Sequence, residues 1–139
     1  MNILLDTCVV SELIRPVPDA KVVAWTGRTP QDICFLSAIT LGEVTQGIAR
    51  LPAGRRRERL EAWSEGLAAR YESRVVPVDT AIARQWGALS GALLRRDTPT
   101  SMADGLIAAT ALVRGLSIAT RNGADFGPFG VEIVNPWQS

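Results

Sequence analysis

The 139-residue sequence lacks histidine altogether. Without an imidazole it cannot build Ser-His-Asp or Cys-His nucleophile pairs, HExxH zinc sites or histidine-based acid–base hydrolysis. Any proton transfer must therefore use carboxylates, lysine, tyrosine or water activated by a metal ion.

Cysteine and long apolar runs are scarce as well. The two thiols, Cys8 and Cys34, are spaced neither as a CxxC pair nor as a disulfide framework. They are typical of small buried residues in a reducing compartment. No apolar run approaches the roughly 18 residues of a membrane span, and the short stretch after Met1 is too short for a signal-peptide core. We therefore expect a cytoplasmic protein.

The charge balance gives no global attraction to nucleic acid, because the formal net charge is only +1. Of the 15 basic residues, however, Lys21 is the only lysine and the others are arginine. Arginine binds phosphate groups bidentately, but a compositional bias of the genome explains such an excess at least as well.

Short apolar runs alternate with helical patterns along the chain. Strands are predicted at residues 2–5, 33–36, 75–78, 116–119 and 131–134, and the third should lie at an edge because it contains Pro77. Helices are predicted before Pro16 and at residues 19–28, 40–50, 55–72, 79–95 and 106–113, the last being the most apolar. This order predicts a single α/β domain over residues 1–139, with a mainly parallel sheet.

Acidic residues recur just after the predicted strands. Asp6 ends the first strand, Glu43 comes shortly after the second, and Asp125 follows the strand at 116–119. Asp104 lies in the first turn of the most apolar helix. Because ligands of open α/β sheets bind outside the carboxyl ends of the strands, we expect these four acids to meet in one cleft.

Converging carboxylates repel one another unless a cation neutralises them. Oxygen-only ligands without cysteine or histidine favour Mg²⁺ or Mn²⁺ over zinc or copper. Such an ion polarises a phosphoryl oxygen and lowers the pKa of bound water. The four acids therefore predict phosphodiester hydrolysis that needs no histidine.

Each acid also has a structural interpretation. Thr40-x-x-Glu43 and Ser101-x-x-Asp104 resemble capping boxes, Asp6 fits a helix N-cap, and Asp125 fits a glycine-containing turn. Capping alone, however, does not require the acids to converge. Four polar residues beside them are candidates for support or phosphate contact: Thr7, Ser37, Thr120 and Asn122.

Taken together, the segments around these acids resemble the PIN-domain family, and in particular VapC-type toxin ribonucleases of bacterial toxin–antitoxin systems. Their order and spacing carry the resemblance, which spans nearly the whole chain. The segments are Leu4-Leu5-Asp6-Thr7, Ser11-Glu12, residues 37–43, Gly47-Ile48, Asp104 with residues 106–109, Thr120-Arg121-Asn122 with Asp125-Phe126, and Asn135-Pro136-Trp137.

The resemblance implies a three-layer α/β/α sandwich and Mg²⁺- or Mn²⁺-dependent cleavage of RNA. It assigns the catalytic and metal-binding roles to Asp6, Glu43, Asp104 and Asp125. It also implies a homodimer and an antitoxin partner that crosses the active-site groove and binds promoter DNA through its own N-terminal part. Many family members have Asn or Ser at the position of Cys8.

Two basic clusters are candidates for contact with an RNA backbone, although neither contains a base-reading pattern. They are Arg55, Arg56, Arg57 and Arg59, and the pair Arg95 and Arg96. In the alternative interpretation, which involves no RNA contact, these arginines form only a solvated helix face.

Two other functions remain open. An aspartate-based phosphatase would need a second acid where Cys8 stands and a supporting lysine, and only Lys21 is present. A non-catalytic PIN-fold module for antitoxin binding and promoter autoregulation would not need intact acids.

Overall fold

A computed structural model describes residues 1–138. Its centre is a five-stranded sheet in the order β3-β2-β1-β4-β5, with every neighbouring pair parallel. The strands are β1 Ile3–Leu5, β2 Cys34–Ser37, β3 Val75–Val76, β4 Ser117–Ala119 and β5 Ile133–Val134. The predicted parallel α/β fold is confirmed, and the strand that precedes Pro77 lies at an edge as expected.

The first strand lies in the middle of the sheet because it is apolar throughout. Ile3 pairs with Cys34 of β2 on one side and with Ser117 of β4 on the other. All three residues of β1 are buried. Since both neighbours are parallel to β1, the carboxyl ends of three strands come to the same edge of the sheet.

Seven α-helices cover the two faces of the sheet within residues 1–138. They are α1 Thr7–Leu13, α2 Ala20–Arg28, α3 Ala38–Ala49, α4 Arg55–Arg70, α5 Thr80–Arg95, α6 Met102–Arg114 and α7 Gly123–Phe126. Asp19 and Asp79 cap α2 and α5, where their carboxylates accept backbone N–H groups of the first turn.

Side-chain alternation along the strands separates two cores. Ile3 and Leu5 pack with apolar residues of α1 to α4, such as Val9 and Leu67. Leu4 points to the other face and packs with residues of α5, α6 and α7, including Leu93, Ile107 and Phe126. The three-layer sandwich follows from this alternation.

The structure departs from the sequence prediction mainly at element ends. Helix α3 begins at Ala38 rather than Thr40, and β5 spans only Ile133–Val134. Helix α7 was not predicted, because four residues with a glycine give no helical period. Along the chain as far as residue 138, no helix is both long and apolar enough to cross a membrane.

Candidate active site

Asp6 lies at the carboxyl end of the central strand, where its backbone N–H donates to the Ala119 carbonyl at 3.0 Å. Its side chain is 6% exposed. The Oδ1 atom accepts the Thr7 N–H at 2.8 Å, and Oδ2 accepts the Thr120 hydroxyl at 2.8 Å. Asp6 is therefore the N-cap of α1 and, at the same time, a carboxylate fixed at the sheet edge.

Thr120 links the central strand to the loop after β4. Its hydroxyl oxygen accepts the Asn122 N–H at 2.9 Å while the hydroxyl donates to Asp6. Its backbone N–H donates to the Val134 carbonyl of β5 at 2.9 Å. Thr120 and Asn122, both predicted as supporting residues, thus belong to the hydrogen-bonded loop that holds Asp6.

Cys8 also lies in this cluster. Its Sγ atom is 3.4 Å from Asp6 Oδ2 and 3.5 Å from the Thr120 hydroxyl, and it accepts the Arg121 N–H at 3.5 Å. Burial, followed by the charge of Asp6, raises the pKa of the Cys8 thiol. Sulfur makes only weak hydrogen bonds, so the thiol contributes less than Thr120 to the orientation of Asp6.

Glu43 projects from α3 toward the start of α1. Its Oε1 atom accepts the Thr7 hydroxyl at 2.7 Å, and that hydroxyl is also 3.4 Å from the Thr40 hydroxyl. The N-cap of α3 is Ser37, whose hydroxyl accepts the Ile39 N–H at 3.0 Å. The capping-box interpretation of Glu43 is therefore wrong, because the helix begins two residues before Thr40.

Asp104 stands in the first turn of α6. Ser101 is the N-cap, and its hydroxyl accepts the Asp104 N–H at 3.1 Å, so the serine half of the predicted capping box is present. Burial raises the pKa of the Asp104 carboxyl, and the charges of Asp6, Asp125 and Glu43 raise it further against the opposing hydrogen bond of Ser101. The other three predicted acids thus act electrostatically on Asp104.

Asp125 lies on α7 and is exposed. Its backbone N–H donates to the Asn122 carbonyl at 3.0 Å, which closes the turn after β4. With Asp104 it lines a groove of about 240 Å³ that also includes Thr98, Ser101 and Pro128. The turn interpretation holds for Asp125, and it shares a groove with Asp104, whereas Glu43 lines a different groove rather than the single cleft expected.

The donor chemistry of this edge fits a hard divalent cation. Its oxygen donors are carboxylates and hydroxyls, with the Cys8 thiol beside Asp6, and the charged groups that add to burial in raising the pKa of Asp104 are all negative. Over residues 1–138, no group of three or more Asp, Glu, Cys or His side chains is placed so that it could hold a metal ion together. Mg²⁺ does not require such a group, since it usually keeps several waters and takes one or two carboxylates.

The structure separates the arginines that the sequence groups together. Arg57 pairs with Glu61 at 2.9 Å and donates to the Leu51 carbonyl at 3.3 Å. Arg56 lines a groove together with Glu43. The remaining four predicted arginines are exposed on α4 and at the end of α5: Arg55, Arg59, Arg95 and Arg96.

Sequence reasoning did not single out Arg121. It lies between Thr120 and Asn122, and its guanidinium carbon stands 4.6 Å from the ring centroid of Trp137. The only sequence signal for Arg121 is its position between two residues predicted for the site. Its stacking on Trp137 leaves no local sequence pattern, because the two residues are 16 positions apart. We refer to the cluster of Asp6, Glu43, Asp104 and Asp125 below as the acid edge.

Comparison with known proteins places this arrangement in context. The family model described as "PIN domain" matches residues 3–127. A VapC ribonuclease, Y4jK of Sinorhizobium fredii, is 38% identical over 137 residues, which cover 98% of each chain. Toxin FitB of Neisseria gonorrhoeae is 35% identical over 136 residues, covering 97% of this chain and 98% of the toxin.

Solved structures agree with these relatives. FitAcB from Neisseria gonorrhoeae superimposes with a TM-score of 0.92 at 35% identity, and the match covers 99% of both chains. A DNA-bound VapBC from Salmonella typhimurium gives a TM-score of 0.81 at 29% identity, over 98% of both chains.

Proposed function

Because this chain belongs to the PIN-domain family, we propose that it is a metal-dependent endoribonuclease and the toxin of a toxin–antitoxin pair. We also propose that residues 1–139 form one PIN domain, which the matches over almost the full length of the relatives support. The acid edge would be its active site, and the cytoplasm its compartment.

The crowding of negative charge around Asp104 carries this proposal. Burial, and then the charges of Asp6, Asp125 and Glu43, raise the pKa of Asp104, and a fold gains no stability from repulsion among acids. The repulsion does, however, provide affinity for a cation. Neither an aspartate-based phosphatase nor a purely structural module requires four acids from four different elements at one edge.

The residues around the acids keep them in place. Thr120 fixes one oxygen of Asp6, and Thr7 fixes one oxygen of Glu43. Asp104 and Asp125 line a shared groove that is open to solvent. When bound here, Mg²⁺ or Mn²⁺ would offset the carboxylate charge, polarise a phosphoryl oxygen and make water a better nucleophile near neutral pH.

Cleavage and chelation test the activity. The purified protein, free of any partner, should cut single-stranded RNA with Mg²⁺ or Mn²⁺, stop in EDTA, and resume when excess Mn²⁺ is added. Asp125→Asn should lose most of this activity. The matched variant Asp32→Asn, which changes an exposed acid outside the acid edge, should keep it.

Cleavage that persists in EDTA would contradict the metal mechanism. Equal rates for Asp125→Asn and Asp32→Asn would contradict the assignment of the site. A protein that binds its partner but cuts no RNA with any divalent ion would favour the non-catalytic module.

Partners form the second part of the proposal. The relatives include a protein named as a toxin and a VapBC complex bound to DNA. We infer an antitoxin encoded next to this chain, which would place an arginine among the acids and replace the charge of the metal. It would hold a homodimer of this chain in a larger complex and contact promoter DNA itself. Co-expression should yield a co-purifying complex that does not cleave RNA.

A further inference from the structure

We propose that the RNA strand leaves the acid edge along the groove between α1, α3 and α4, where Arg56 binds a backbone phosphate. This inference rests on the proposed ribonuclease function and adds a substrate-binding residue to it. The groove has a volume of about 210 Å³, and its walls include Thr7, Ser11, Glu43, Arg56, Leu60 and Trp63.

The groove is continuous with the acid edge. Thr7 and Glu43, which line it, are joined by the 2.7 Å hydrogen bond between the Thr7 hydroxyl and Glu43 Oε1. Thr7 also donates its backbone N–H to Asp6. A nucleotide next to a phosphate held at the acid edge would therefore lie at the mouth of this groove.

Charge distinguishes this groove from the one on the other side of the acid edge. The groove beside Asp104 and Asp125 is lined by polar, proline and alanine residues, and no arginine or lysine is among its lining residues within 1–138. The groove beside Glu43 contains Arg56. Because carboxylates repel the phosphates of an approaching strand, the side that carries a cation is the favourable one.

Arg56 is free to bind an external anion. Across residues 1–138 its side chain takes part in no salt bridge and no hydrogen bond, and it is exposed. Its neighbour Arg57 is bound to Glu61 and to the Leu51 carbonyl instead. Arg55 and Arg59 are exposed as well, but of these four arginines only Arg56 lines the groove. The structure thus assigns the phosphate contact to Arg56 rather than to the whole arginine cluster.

The rest of the groove suits a base. Leu60 and Trp63 are half-buried and form an apolar wall on the α4 side. Bases stack on aromatic rings without strong sequence preference, while arginine tracks the backbone. A groove of about 210 Å³ takes single-stranded nucleotides rather than a double helix.

The test compares Arg56→Gln with Arg84→Gln, which removes the same charge from an exposed position of α5. Cleavage of a single-stranded RNA of about ten nucleotides is followed with Mn²⁺, and binding is followed in EDTA by fluorescence anisotropy over a range of salt. Arg56→Gln should raise KM about tenfold, as expected for loss of a charged hydrogen bond, with little change in kcat. Its salt slope for binding should fall by about 0.7. Arg84→Gln should match wild type in both.

Two further measurements strengthen the test. Arg56→Lys keeps the charge but loses bidentate geometry, so its KM should lie between those of wild type and Arg56→Gln. A dinucleotide substrate should show little difference between Arg56→Gln and wild type, because its single phosphate lies at the acid edge and none is left for Arg56. Equal unfolding temperatures for the variants exclude a folding defect as the cause.

The outcomes separate the two proposals. If wild type cleaves RNA and Arg56→Gln has the KM and salt slope of Arg84→Gln, the groove inference is wrong and the ribonuclease proposal stands. If Arg56→Gln weakens only the complex with the co-expressed partner, the groove belongs to that protein and the inference is also wrong. If wild type neither binds nor cleaves RNA, both proposals fail.

Discussion

Replacement of Thr120 by valine tests how Asp6 is held. Valine has nearly the same shape as threonine but no hydroxyl, so it removes two strong hydrogen bonds at once, together with a weak contact to the Cys8 thiol. The Thr120 hydroxyl donates to Asp6 Oδ2 at 2.8 Å and its oxygen accepts the Asn122 N–H at 2.9 Å. Thr120 is 0% exposed and Asp6 is 6% exposed, so water cannot readily replace either contact.

The expected cost follows from these two contacts. A hydrogen bond to a charged group contributes about 1.5–3 kcal/mol, and a neutral one contributes about 1 kcal/mol. Because the partners stay buried, we expect Thr120→Val to lower the free energy of unfolding by about 2–4 kcal/mol. For a chain of this length, that corresponds to a fall in the unfolding temperature of roughly 6–15 °C.

Urea denaturation in EDTA measures this loss without any contribution from a bound metal. Thr120→Ser, which keeps the hydroxyl, is the control and should lose much less stability than the valine variant. The Mn²⁺-induced rise in unfolding temperature should also shrink in Thr120→Val, because Asp6 is no longer fixed. If the valine and serine variants unfold at the same urea concentration, the hydroxyl does not hold Asp6 and the reasoning is refuted.

Three other substitutions test neighbouring parts of the structure. Thr7→Val removes the 2.7 Å hydrogen bond to Glu43 and should reduce the Mn²⁺-induced stabilisation, whereas Thr7→Ser should preserve it; equal Mn²⁺ responses would contradict this. Burial and three negative neighbours raise the pKa of the Asp104 carboxyl above its ordinary value of 3.8, so the ionised carboxylate opposes folding at neutral pH. This cost falls as the pH drops through the raised pKa, and it is gone below pH 3.8, where the carboxyl is protonated in both the folded and the unfolded protein. Asp104→Asn should therefore unfold at or above the wild-type temperature in EDTA near pH 7, lose that advantage near pH 3.5, and cleave no RNA; a variant that is less stable near pH 7 and fully active would leave only a capping role. A Cβ at Gly105 would lie 2.8 Å from Cδ1 of Trp86, so Gly105→Ala should cost about 1–3 kcal/mol in thermal unfolding, and an unchanged unfolding temperature would show that α5 shifts freely.

Much of the fold could be predicted because the sheet is buried on both faces. A strand covered by helices on either side is apolar at every position, as Ile3–Leu5 is, and such runs stand out between helical periods. The short helix at Gly123–Phe126 could not be predicted in this way. It is one turn long, and it is held in the core by one buried residue, Phe126, which gives no helical period.

The site was only partly accessible from the sequence. The rule that parallel strands bring their carboxyl ends to one edge places Asp6, Glu43 and Asp125 near one another. It does not pair Thr7 with Glu43, which are 36 positions apart, or Thr120 with Asp6, which are 114 apart. Those contacts depend on which side chains two separate elements turn toward each other, and a local pattern does not contain that information.

The structural and the functional interpretations of Asp6 and Asp104 support each other. Asp6 caps α1, and Asp104 lies in the first turn of α6 and receives the lowering effect of the Ser101 hydrogen bond on its pKa. A helix N-terminus favours the ionised form of a nearby carboxyl group. Burial and the neighbouring acids favour the neutral form. At Asp104, the Ser101 hydrogen bond therefore counters the proton uptake that burial and the neighbouring acids favour, and it keeps negative charge at the edge where a cation would bind. An acid in a capping position is, for this reason, no evidence against a role in the site.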